Sequence, residues 1–311
     1  MATQAAAGDE RRFTAGLARF FAAGKGVRIG IGDDAAVVAN RGAESVVCCD
    51  PVVEGVHFLS SAPAQLVGRK AVNRNLSDLA AMGALPDWLL VSLVLPRGWP
   101  ARRRLQLLTG IRAAARAAGC RVVGGDVATH AGPLVVTVTA IGHAAGRVLT
   151  RGGAVAGDTL HVSGPLGGAA AGHHLRFRPA LRQGVWLARQ DAVHAAIDVS
   201  DGLLLDLAPL LRASGGLGAE IDAAAVPVRA AARRLAGGDR DRALRAALGD
   251  GEDHVLLWSQ AARELPPGGP LPLRARRAFG RVVAGRGLWL LRDGRRERIE
   301  PLGFRHVLGP R

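Results

Sequence analysis

The spacing of hydrophobic residues along the chain changes repeatedly between a strand-like and a helix-like period. Short apolar runs alternate with longer amphipathic segments, as in a mixed α/β protein. In the first half, apolar runs bounded by Gly, Pro, Asn or Asp predict strands over residues 35–38, 45–49, 88–95, 121–123 and 134–142. Helical spacing of apolar residues predicts helices over residues 9–23, 65–82 and 100–118.

A Gly-rich connector (GGAVAGD, residues 152–158) interrupts this series, and the same alternation then restarts. Further strands are predicted over residues 159–163, 195–199, 218–221 and 254–258, around Val282, and over 288–291. Helices are predicted in the Ala-rich segment after the Gly-rich turn at 164–172, and over 202–213, 229–236 and 240–248. The Pro- and Arg-rich segment 263–277 is interpreted as a surface loop. We therefore expect two α/β domains, residues 1–150 and 151–311.

Composition excludes several classes of protein. The chain has 311 residues, of which 49% are hydrophobic, so it has the apolar residues for a sizeable core and is not a disordered chain. Its apolar runs are too short to cross a membrane, and its first residues do not resemble a secretory signal. The cysteines are Cys48, Cys49 and Cys120, and the adjacent pair argues against a disulfide framework. A cytoplasmic location and no membrane partner are expected.

The net charge of +15 raises the possibility of a nucleic-acid partner. However, Lys25 and Lys70 are the only lysines among the 41 basic residues, and tyrosine is absent. That replacement of Lys by Arg is typical of a GC-rich genome, and no aromatic RNA-binding motif or zinc finger supports the alternative. We expect no nucleic-acid partner, with a basic nucleic-acid binder as the competing hypothesis.

In so basic a chain, the placement of the carboxylates is informative. Most of them stand beside Gly or Ser where an apolar strand ends, and these are Asp33, Asp34, Asp50, Asp78, Asp126, Asp198 and Asp201. Ligands of α/β proteins bind in the crevice beyond the strand ends, and clustered carboxylates suit Mg²⁺. Each Asp alone is also a good turn former or helix N-cap, as Asp201 would be for the helix that follows it. Adjacent charges at Asp33 and Asp34 repel each other unless a cation lies between them.

The common nucleotide-binding and kinase motifs are absent from the sequence. The turn GPLGGAAAG (164–172) is equally compatible with anion binding through its backbone N–H groups and with close helix–strand packing. His173 and His174 have no metal-ligand partners at suitable spacing and are interpreted as solvated surface residues. Ser200 lies outside any nucleophile-elbow motif.

Several motifs stand together in the order found in one family. They are GIGDDAAVV, DPVVEGVHF, NLSDLAAMGA, GGDVAT, TVTAIG, LTRGGAVAGD, AIDVSDGLLLDL and GEDHVLL. In these motifs the chain resembles the thiamine-monophosphate kinases, within the aminoimidazole ribonucleotide synthetase-like superfamily, over about residues 30–304. The resemblance implies a two-domain α/β (α+β) fold. Its N-terminal domain would bind ATP and Mg²⁺ and would pair with a second copy to form a dimeric β-barrel.

The resemblance also implies an activity, the direct transfer of the γ-phosphoryl group of ATP to thiamine monophosphate with several Mg²⁺ ions. No catalytic general base is expected, because the acceptor phosphate is largely dianionic at neutral pH. The implied metal ligands are Asp34, Asp50, Asp78, Asp126, Asp198, Asp201 and Cys49. The implied ATP-binding residues are Gly125, Asp126, Arg151 and Ser200, and the implied thiamine-phosphate contacts are His57, Glu252 and Phe304.

Some positions depart from the family pattern. Cys48 and Cys49 replace the Ser or Thr that precedes the metal-binding aspartate, and sulfur is a poor Mg²⁺ ligand. The family's GGDTTRG reads GGDVATHAG here, and its GEDYEL reads GEDHVL. Two alternatives therefore accompany the kinase hypothesis, a paralogue with another ATP-dependent substrate and a catalytically weakened nucleotide-binding protein.

Overall fold

The computed structural model describes residues 8–9, 27–29, 33–39, 44–305 and 307–308, and it contains two large β-sheets. The first sheet comprises β2 (Val27–Ile29), β3 (Ala36–Ala39), β4 (Glu44–Val53), β5 (Ala84–Pro96), β6 (Arg121–His130) and β7 (Val135–Ala144). Its strand order is β2-β3-β4-β7-β5-β6, antiparallel except for the parallel pair β5 and β6. A separate two-stranded ladder joins β1 (Gly8–Asp9) to β15 (Val307–Leu308).

Two helices, α1 (Ala64–Ala81) and α2 (Ala101–Ala117), belong to the same half of the chain as the first sheet. They lie very close together at two glycines. A Cβ atom on Gly68 would stand 2.2 Å from the Leu107 carbonyl oxygen, and one on Gly110 would stand 1.9 Å from that of Gln65. This contact fixes how α1 lies against α2. Helix α1 ends just before Gly83, whose φ of 69° suits glycine, as the sequence predicts.

One edge of the first sheet is exposed and apolar. Strand β6 is exposed along nearly its whole length, and six large apolar side chains on β5 and β6 are exposed, namely Leu85, Trp88, Leu90, Val122, Val123 and Val127. Within the described residues the sheet is open, with β2 and β6 at its edges, and it does not close into a barrel. The mixed α/β architecture is confirmed, whereas the dimeric barrel stays a prediction.

The second sheet has seven strands, which are β8 (Thr159–Val162), β9 (Val193–Asp198), β10 (Gly218–Asp222), β11 (Leu256–Gln260), β12 (Gly280–Val283), β13 (Gly287–Arg292) and β14 (Arg295–Ile299). Their order is β14-β13-β10-β12-β8-β11-β9. The helices of this half are α3 (Leu181–Leu187), α4 (Leu203–Ala213), α5 (Ala230–Leu235), α6 (Arg240–Gly249) and α7 (Leu273–Arg276). The leucines of α4 pack into the core beneath this sheet. A further core cluster joins the two halves, with Ala80 and Ala81 of α1 among Leu187 and Trp258.

Some sequence-based predictions fail or lie outside the described residues. Asp9 belongs to β1, and residues 10–23 of the predicted N-terminal helix are not described. The predicted Ala-rich helix is replaced by two 3₁₀ turns (Ala169–Ala171 and His173–Leu175), because Gly168 and Gly172 adopt φ values of 67° and 110°. The segment 263–277 contains α7, and the pattern did not predict α3 or β14. Among the described helices, none has the length and apolarity that a membrane crossing requires.

Candidate functional site

Three aspartates from distant parts of the chain meet between the two sheets. Asp34 lies just before β3, Asp78 lies in the last turns of α1, and Asp198 ends β9. One carboxylate oxygen of each lies within 4.8 Å of the other two. Three of the aspartates that the sequence singles out are thus close together in space.

The charges of this cluster are poorly compensated by the protein. Burial raises the pKa of Asp34 to about 7, although Arg151 acts in the opposite direction. Burial also raises the pKa of Asp78 well above its usual range, and the charges of Asp50 and Asp198 add to the effect. Asp34 Oδ2 is buried and has no hydrogen-bond partner among the described residues. Three converging carboxylates, one of them with an oxygen that lacks a partner, fit a divalent cation with a preference for oxygen ligands.

Asp198 is the carboxylate that the protein keeps ionised. Burial alone would raise its pKa, but a hydrogen bond and the positive charge from His254, together with a hydrogen bond from Ser77, lower it below the usual value. The Ser77 hydroxyl donates to Asp198 Oδ2 over 2.7 Å, and His254 Nδ1 lies 3.4 Å from the same oxygen. Ser77, in the NLSD motif, therefore positions Asp198 from across the interface between the halves.

Arg151, predicted to contact the nucleotide, borders the cluster on one side. Its guanidinium forms an ion pair with Asp34 and lies 3.7 Å from Asp33, while its backbone N–H donates to Asp33 Oδ2 over 3.4 Å. Burial lowers the pKa of Arg151, but the neighbouring carboxylates raise it by more, so that the guanidinium stays charged. The cation that the adjacent Asp33–Asp34 pair requires is thus Arg151.

Asp50 and Arg74 border the cluster on another side. Arg74 Nε lies 2.9 Å from Asp50 Oδ2, and the backbone N–H of Asp50 donates to the Asn75 side chain over 2.9 Å. Burial lowers the pKa of Arg74, but the charges of Asp50, Glu252 and Asp78 raise it above its ordinary value. Arg74 and Asn75 of α1 therefore hold Asp50 in place, with its negative charge at the border of the aspartate cluster.

The two adjacent cysteines point to opposite faces of β4. Cys48 is buried on the same face as Asp50, and its thiol lies 3.3 Å from the Asn75 carbonyl oxygen. Burial, followed by the charges of Asp78 and Asp50, raises the pKa of this thiol well above its usual value. Cys49 is exposed and accepts a hydrogen bond from Thr139 over 3.2 Å. The alternation of the strand places the thiol of Cys48, and not that of Cys49, beside the carboxylates, so that a metal contact from Cys49 would have to come from its backbone carbonyl.

Gly125 and Asp126 lie apart from the three-aspartate cluster, on the exposed edge strand β6. Asp126 stands opposite Ser92 in the ladder with β5. Gly125 has a φ of 149°, and a Cβ atom there would lie 1.8 Å from the Val91 carbonyl oxygen. A structural requirement for glycine at 125 is therefore present in addition to the predicted nucleotide contact.

Ser200 and Asp201 lie in the loop between β9 and α4, whose shape is set by Asp206. One oxygen of the buried Asp206 carboxylate accepts hydrogen bonds from the backbone N–H groups of Ser200, Asp201 and Gly202, over 3.0, 2.9 and 3.1 Å. Gly202 is the N-cap, so Asp201 does not cap α4 as its position in the sequence allowed. Asp206, in the VSDGLLLD motif, was missed because its pattern resembles an ordinary helix position.

The GEDH loop after α6 carries the predicted substrate residue Glu252. Glu252 and His254 adopt the left-handed region at φ values of 58° and 47°, and the Glu252 N–H donates to the Ser200 carbonyl over 2.6 Å. Non-glycine residues enter this region at a cost, so the surrounding contacts must hold the loop. The main one is Lys70 of α1, whose fully buried Nζ lies 2.7 Å from Glu252 Oε2. Sequence reasoning missed Lys70 altogether.

The other predicted substrate residues are tied to the same network. Lys70 Nζ donates to the His57 carbonyl over 2.6 Å, and His57 Nδ1 accepts from the Val53 N–H over 3.0 Å, so that its proton lies on Nε2. Phe304, whose side chain is half-exposed, donates its backbone N–H to the Asp201 carbonyl over 2.8 Å. Lys70 therefore joins His57 to Glu252, and Phe304 adjoins the loop that holds Ser200 and Asp201.

The Gly-rich turn and the histidine pair have partners within the chain. The N–H of Gly167 donates to Asp253 and that of Gly168 to Asp250, so these donors already bind carboxylates of the protein itself. His173 and His174 are half-buried, and His174 Nδ1 lies 3.1 Å from Lys70 Nζ. The interpretation of this pair as solvated surface residues is wrong, because folding brings the 3₁₀ turn against α1.

Comparison with known proteins agrees with this geometry. Residues 32–144 match the family model described as AIR synthase related protein, N-terminal domain. A thiamine-monophosphate kinase from Rhodopirellula baltica is 38% identical over 90% of this chain and 92% of its own length. One from Escherichia coli is 33% identical over 91% and 93%. Among solved structures, AaThiL complexed with AMPPCP and TMP superposes with a TM-score of 0.84 at 28% identity, covering 96% of this chain and 97% of that one.

These relatives are similar to the chain over nine-tenths of its length and of their own. An alignment of this extent at more than 30% identity establishes common family membership. The chain belongs to the thiamine-monophosphate kinase family.

Proposed function

We propose that this protein transfers the γ-phosphoryl group of ATP to thiamine monophosphate and so forms thiamine diphosphate. The observation that carries the proposal is the convergence of Asp34, Asp78 and Asp198 beside Arg151. The kinases named above, and the AaThiL complex with AMPPCP (a methylene analogue of ATP) and TMP, support the choice of both substrates.

The carboxylates would hold Mg²⁺. Asp34, Asp78 and Asp198 form the centre of the site and Asp50 its edge, and the partnerless oxygen of Asp34 fits such an ion. Asp126, on the edge strand β6, and Asp201, in the loop after β9, would be further ligands. When bound, Mg²⁺ offsets the negative charge that gathers on the phosphoryl oxygens during transfer.

Arg151, Ser200 and Gly125 would contact the nucleotide. Arg151 is a fixed cation, held in place by Asp33 and Asp34, and its positive charge would attract the phosphate oxygens of ATP. Ser200 would offer its hydroxyl, since Asp206 already binds its backbone N–H. Electrostatic positioning of this kind accounts for most of the catalysis of phosphoryl transfer.

The acceptor needs orientation more than activation. A phosphate monoester has a second pKa of about 6, so thiamine monophosphate is largely a dianion at neutral pH and requires no general base. His57, Glu252 and Phe304 would hold thiamine. Burial raises the pKa of Glu252, but His254 and Lys70 lower it by more, so that its carboxylate is ionised and attracts the cationic thiazolium.

The exposed apolar edge of the first sheet supports a homodimer. Val122, Val123 and Val127 on β6, with Trp88 and Leu90 on β5, are exposed, and the N–H and C=O groups of an edge strand favour pairing. A second copy joined here would complete the barrel of the N-terminal domain. We assign residues 1–150 to that domain and residues 151–311 to the C-terminal one.

The decisive experiment incubates the purified protein with ATP, Mg²⁺ and thiamine monophosphate and separates the products by chromatography. We expect thiamine diphosphate and ADP in equal amounts. Asp78→Asn should lower the rate by about 100-fold or more, as removal of a key electrostatic group does. The exposed Asp191→Asn is the matched control and should match the parent. A folded, ATP-binding protein that forms no thiamine diphosphate would refute the proposal, and turnover of a different acceptor would favour a paralogue.

A further inference from the structure

Helix α1 presents three charged side chains at four-residue intervals, Lys70, Arg74 and Asp78. Residues four apart lie on one face of a helix, about 6 Å apart along its axis. Lys70 stands at the substrate end, in contact with Glu252 and His57. Asp78 stands at the metal end, with Asp34 and Asp198. Arg74 therefore lies midway between the groups for thiamine and the groups for Mg²⁺.

The Arg74 side chain is largely buried, with 17% of its surface exposed, yet its hydrogen-bonding capacity is only partly used. In the described parts of the chain, its one hydrogen bond joins Nε to Asp50 Oδ2 over 2.9 Å. A guanidinium has five N–H donors, so both Nη groups remain to bind another acceptor. The charges of Asp50, Glu252 and Asp78 favour the guanidinium here, but within the described residues they leave the hydrogen-bonding capacity of its Nη groups unused.

We propose that Arg74 binds the phosphate group of thiamine monophosphate, and this inference rests on the proposed kinase function. The planar guanidinium matches two phosphate oxygens at once, whereas a lysine acts as a point charge. Asp50 orients the guanidinium through Nε and leaves the two Nη groups for the phosphate.

The other arginine of the site explains why Arg74 serves the acceptor and not ATP. Arg151 is held at the opposite border by Asp33 and Asp34, beside the groups for the nucleotide. Arg74 is instead one helical turn from Lys70, which holds the substrate residues Glu252 and His57. Transfer brings two anions together, and one fixed cation on each side lowers their repulsion.

The test compares a ligand that has the phosphate with one that lacks it. Affinities of the metal-free protein for thiamine monophosphate and for thiamine are measured by calorimetry for the parent, Arg74→Gln and Arg74→Lys. Arg74→Gln should weaken binding of thiamine monophosphate about 10- to 100-fold, the range for a lost charge-assisted pair, and leave thiamine affinity unchanged. Arg74→Lys should give a smaller loss of affinity, because lysine keeps the positive charge but lacks the paired N–H groups of the guanidinium. Arg69→Gln, on the α2-facing side of the same helix, is the matched control and should change neither.

Kinetics give the second readout. With Mg²⁺ and ATP, the KM for thiamine monophosphate should rise in Arg74→Gln while the KM for ATP stays within about twofold, since only the acceptor loses a contact. Equal losses for thiamine and thiamine monophosphate, or a change confined to the KM for ATP, would overturn the inference. If Arg74→Gln does not fold, Arg74→Lys decides alone, because its preference for thiamine monophosphate over thiamine must fall. A parent protein without kinase activity would refute the proposed function instead.

Discussion

Lys70 Nζ lies 2.7 Å from Glu252 Oε2. This ion pair joins helix α1 to the GEDH loop, in which Glu252 and His254 adopt left-handed backbone conformations. The lysine is fully buried, whereas the glutamate keeps 29% of its side-chain surface exposed. The same Nζ also donates to the His57 carbonyl. One amino group therefore holds two of the proposed substrate contacts in place.

Lys70→Met should consequently destabilise the fold. Removing one member of a buried pair leaves the other charge without compensation, and we expect the free energy of unfolding to fall by about 3 kcal/mol. Urea unfolding followed by circular dichroism measures this change. In a double-mutant cycle, adding Glu252→Gln should cost much less in the Lys70→Met background than in the parent. Strictly additive losses would mean that the two side chains do not interact.

The pKa of Asp34, raised to about 7, predicts how Mg²⁺ binding depends on pH. A proton and a cation compete for this carboxylate, so the Mg²⁺ concentration for half-maximal activity should rise about tenfold from pH 8 to pH 6. Activity titrations with Mg²⁺ at several pH values measure it. The Arg69→Gln variant should follow the same curve as the parent, and a Mg²⁺ requirement independent of pH would contradict the prediction.

The same raised pKa has a consequence for stability without divalent cations. The native Asp34 keeps its proton up to about pH 7, whereas an unfolded aspartate loses it near pH 4. The native state therefore binds more protons between these values, and its stability from this group should fall as pH rises from about 4 to 7. Denaturant unfolding with EDTA at pH 5 and pH 7 tests the sign. In Asp34→Asn this contribution should vanish, so the parent should lose stability relative to the variant between pH 5 and pH 7. An equal change in the free energy of unfolding for the two proteins would disprove the prediction.

Asp206 should affect ATP binding, although it is not itself a proposed ligand contact. Asp206→Ala removes the acceptor for three backbone N–H groups, and loss of such a cap costs about 1–2 kcal/mol. We also expect a higher KM for ATP, because the Ser200–Asp201 loop loses its support. Asp206→Asn retains a carbonyl oxygen and should be milder. If Asp206→Ala lowered stability but left the KM for ATP unchanged, the loop would not contact the nucleotide.

The opposite orientations of Cys48 and Cys49 give a prediction with a built-in control. Cys48→Ser places an oxygen beside Asp78 and should lower the Mg²⁺ requirement about two- to fivefold, because Mg²⁺ prefers oxygen to sulfur. Cys49→Thr alters the other face of β4 and should have no effect. Activity measured against Mg²⁺ concentration distinguishes them, and the reverse order would restore Cys49 as the relevant side chain.

The sequence alone was sufficient to find the aspartates of the cluster. Asp34, Asp78 and Asp198 each stand close to Gly, Ser or Asp next to an apolar segment, in a chain with few carboxylates, but the pattern did not show which of its seven aspartates converge. Most strands and helices were predictable, since their periods and their Gly and Pro boundaries are local features. The 3₁₀ turns at 169–175 were not, because a run of alanines favours a helix and only the positive φ values of its flanking glycines break it.

The residues that support the aspartates could not be found from local pattern. Lys70 and Arg74 occupy polar positions on an amphipathic helix, where a solvated charge is the ordinary expectation, and only the packing of α1 between the halves buries them. Asp206 and His254 act through residues that are distant in sequence or adopt a rare backbone conformation. Such roles depend on tertiary contacts that no window of sequence contains.

The close approach of α1 and α2 at Gly68 and Gly110 fixes the position of α1. Because the helix is seated this closely against its neighbour, the positions of its three charged side chains are set by the backbone, at a rise of about 1.5 Å per residue. Inserting one residue after Ala71 would rotate Arg74 and Asp78 by about 100° relative to Lys70, so that the three side chains could not all reach their present partners. A substitution changes one of these side chains, but the distances between the proposed sites for metal, phosphate and thiamine are set by the geometry of the helix.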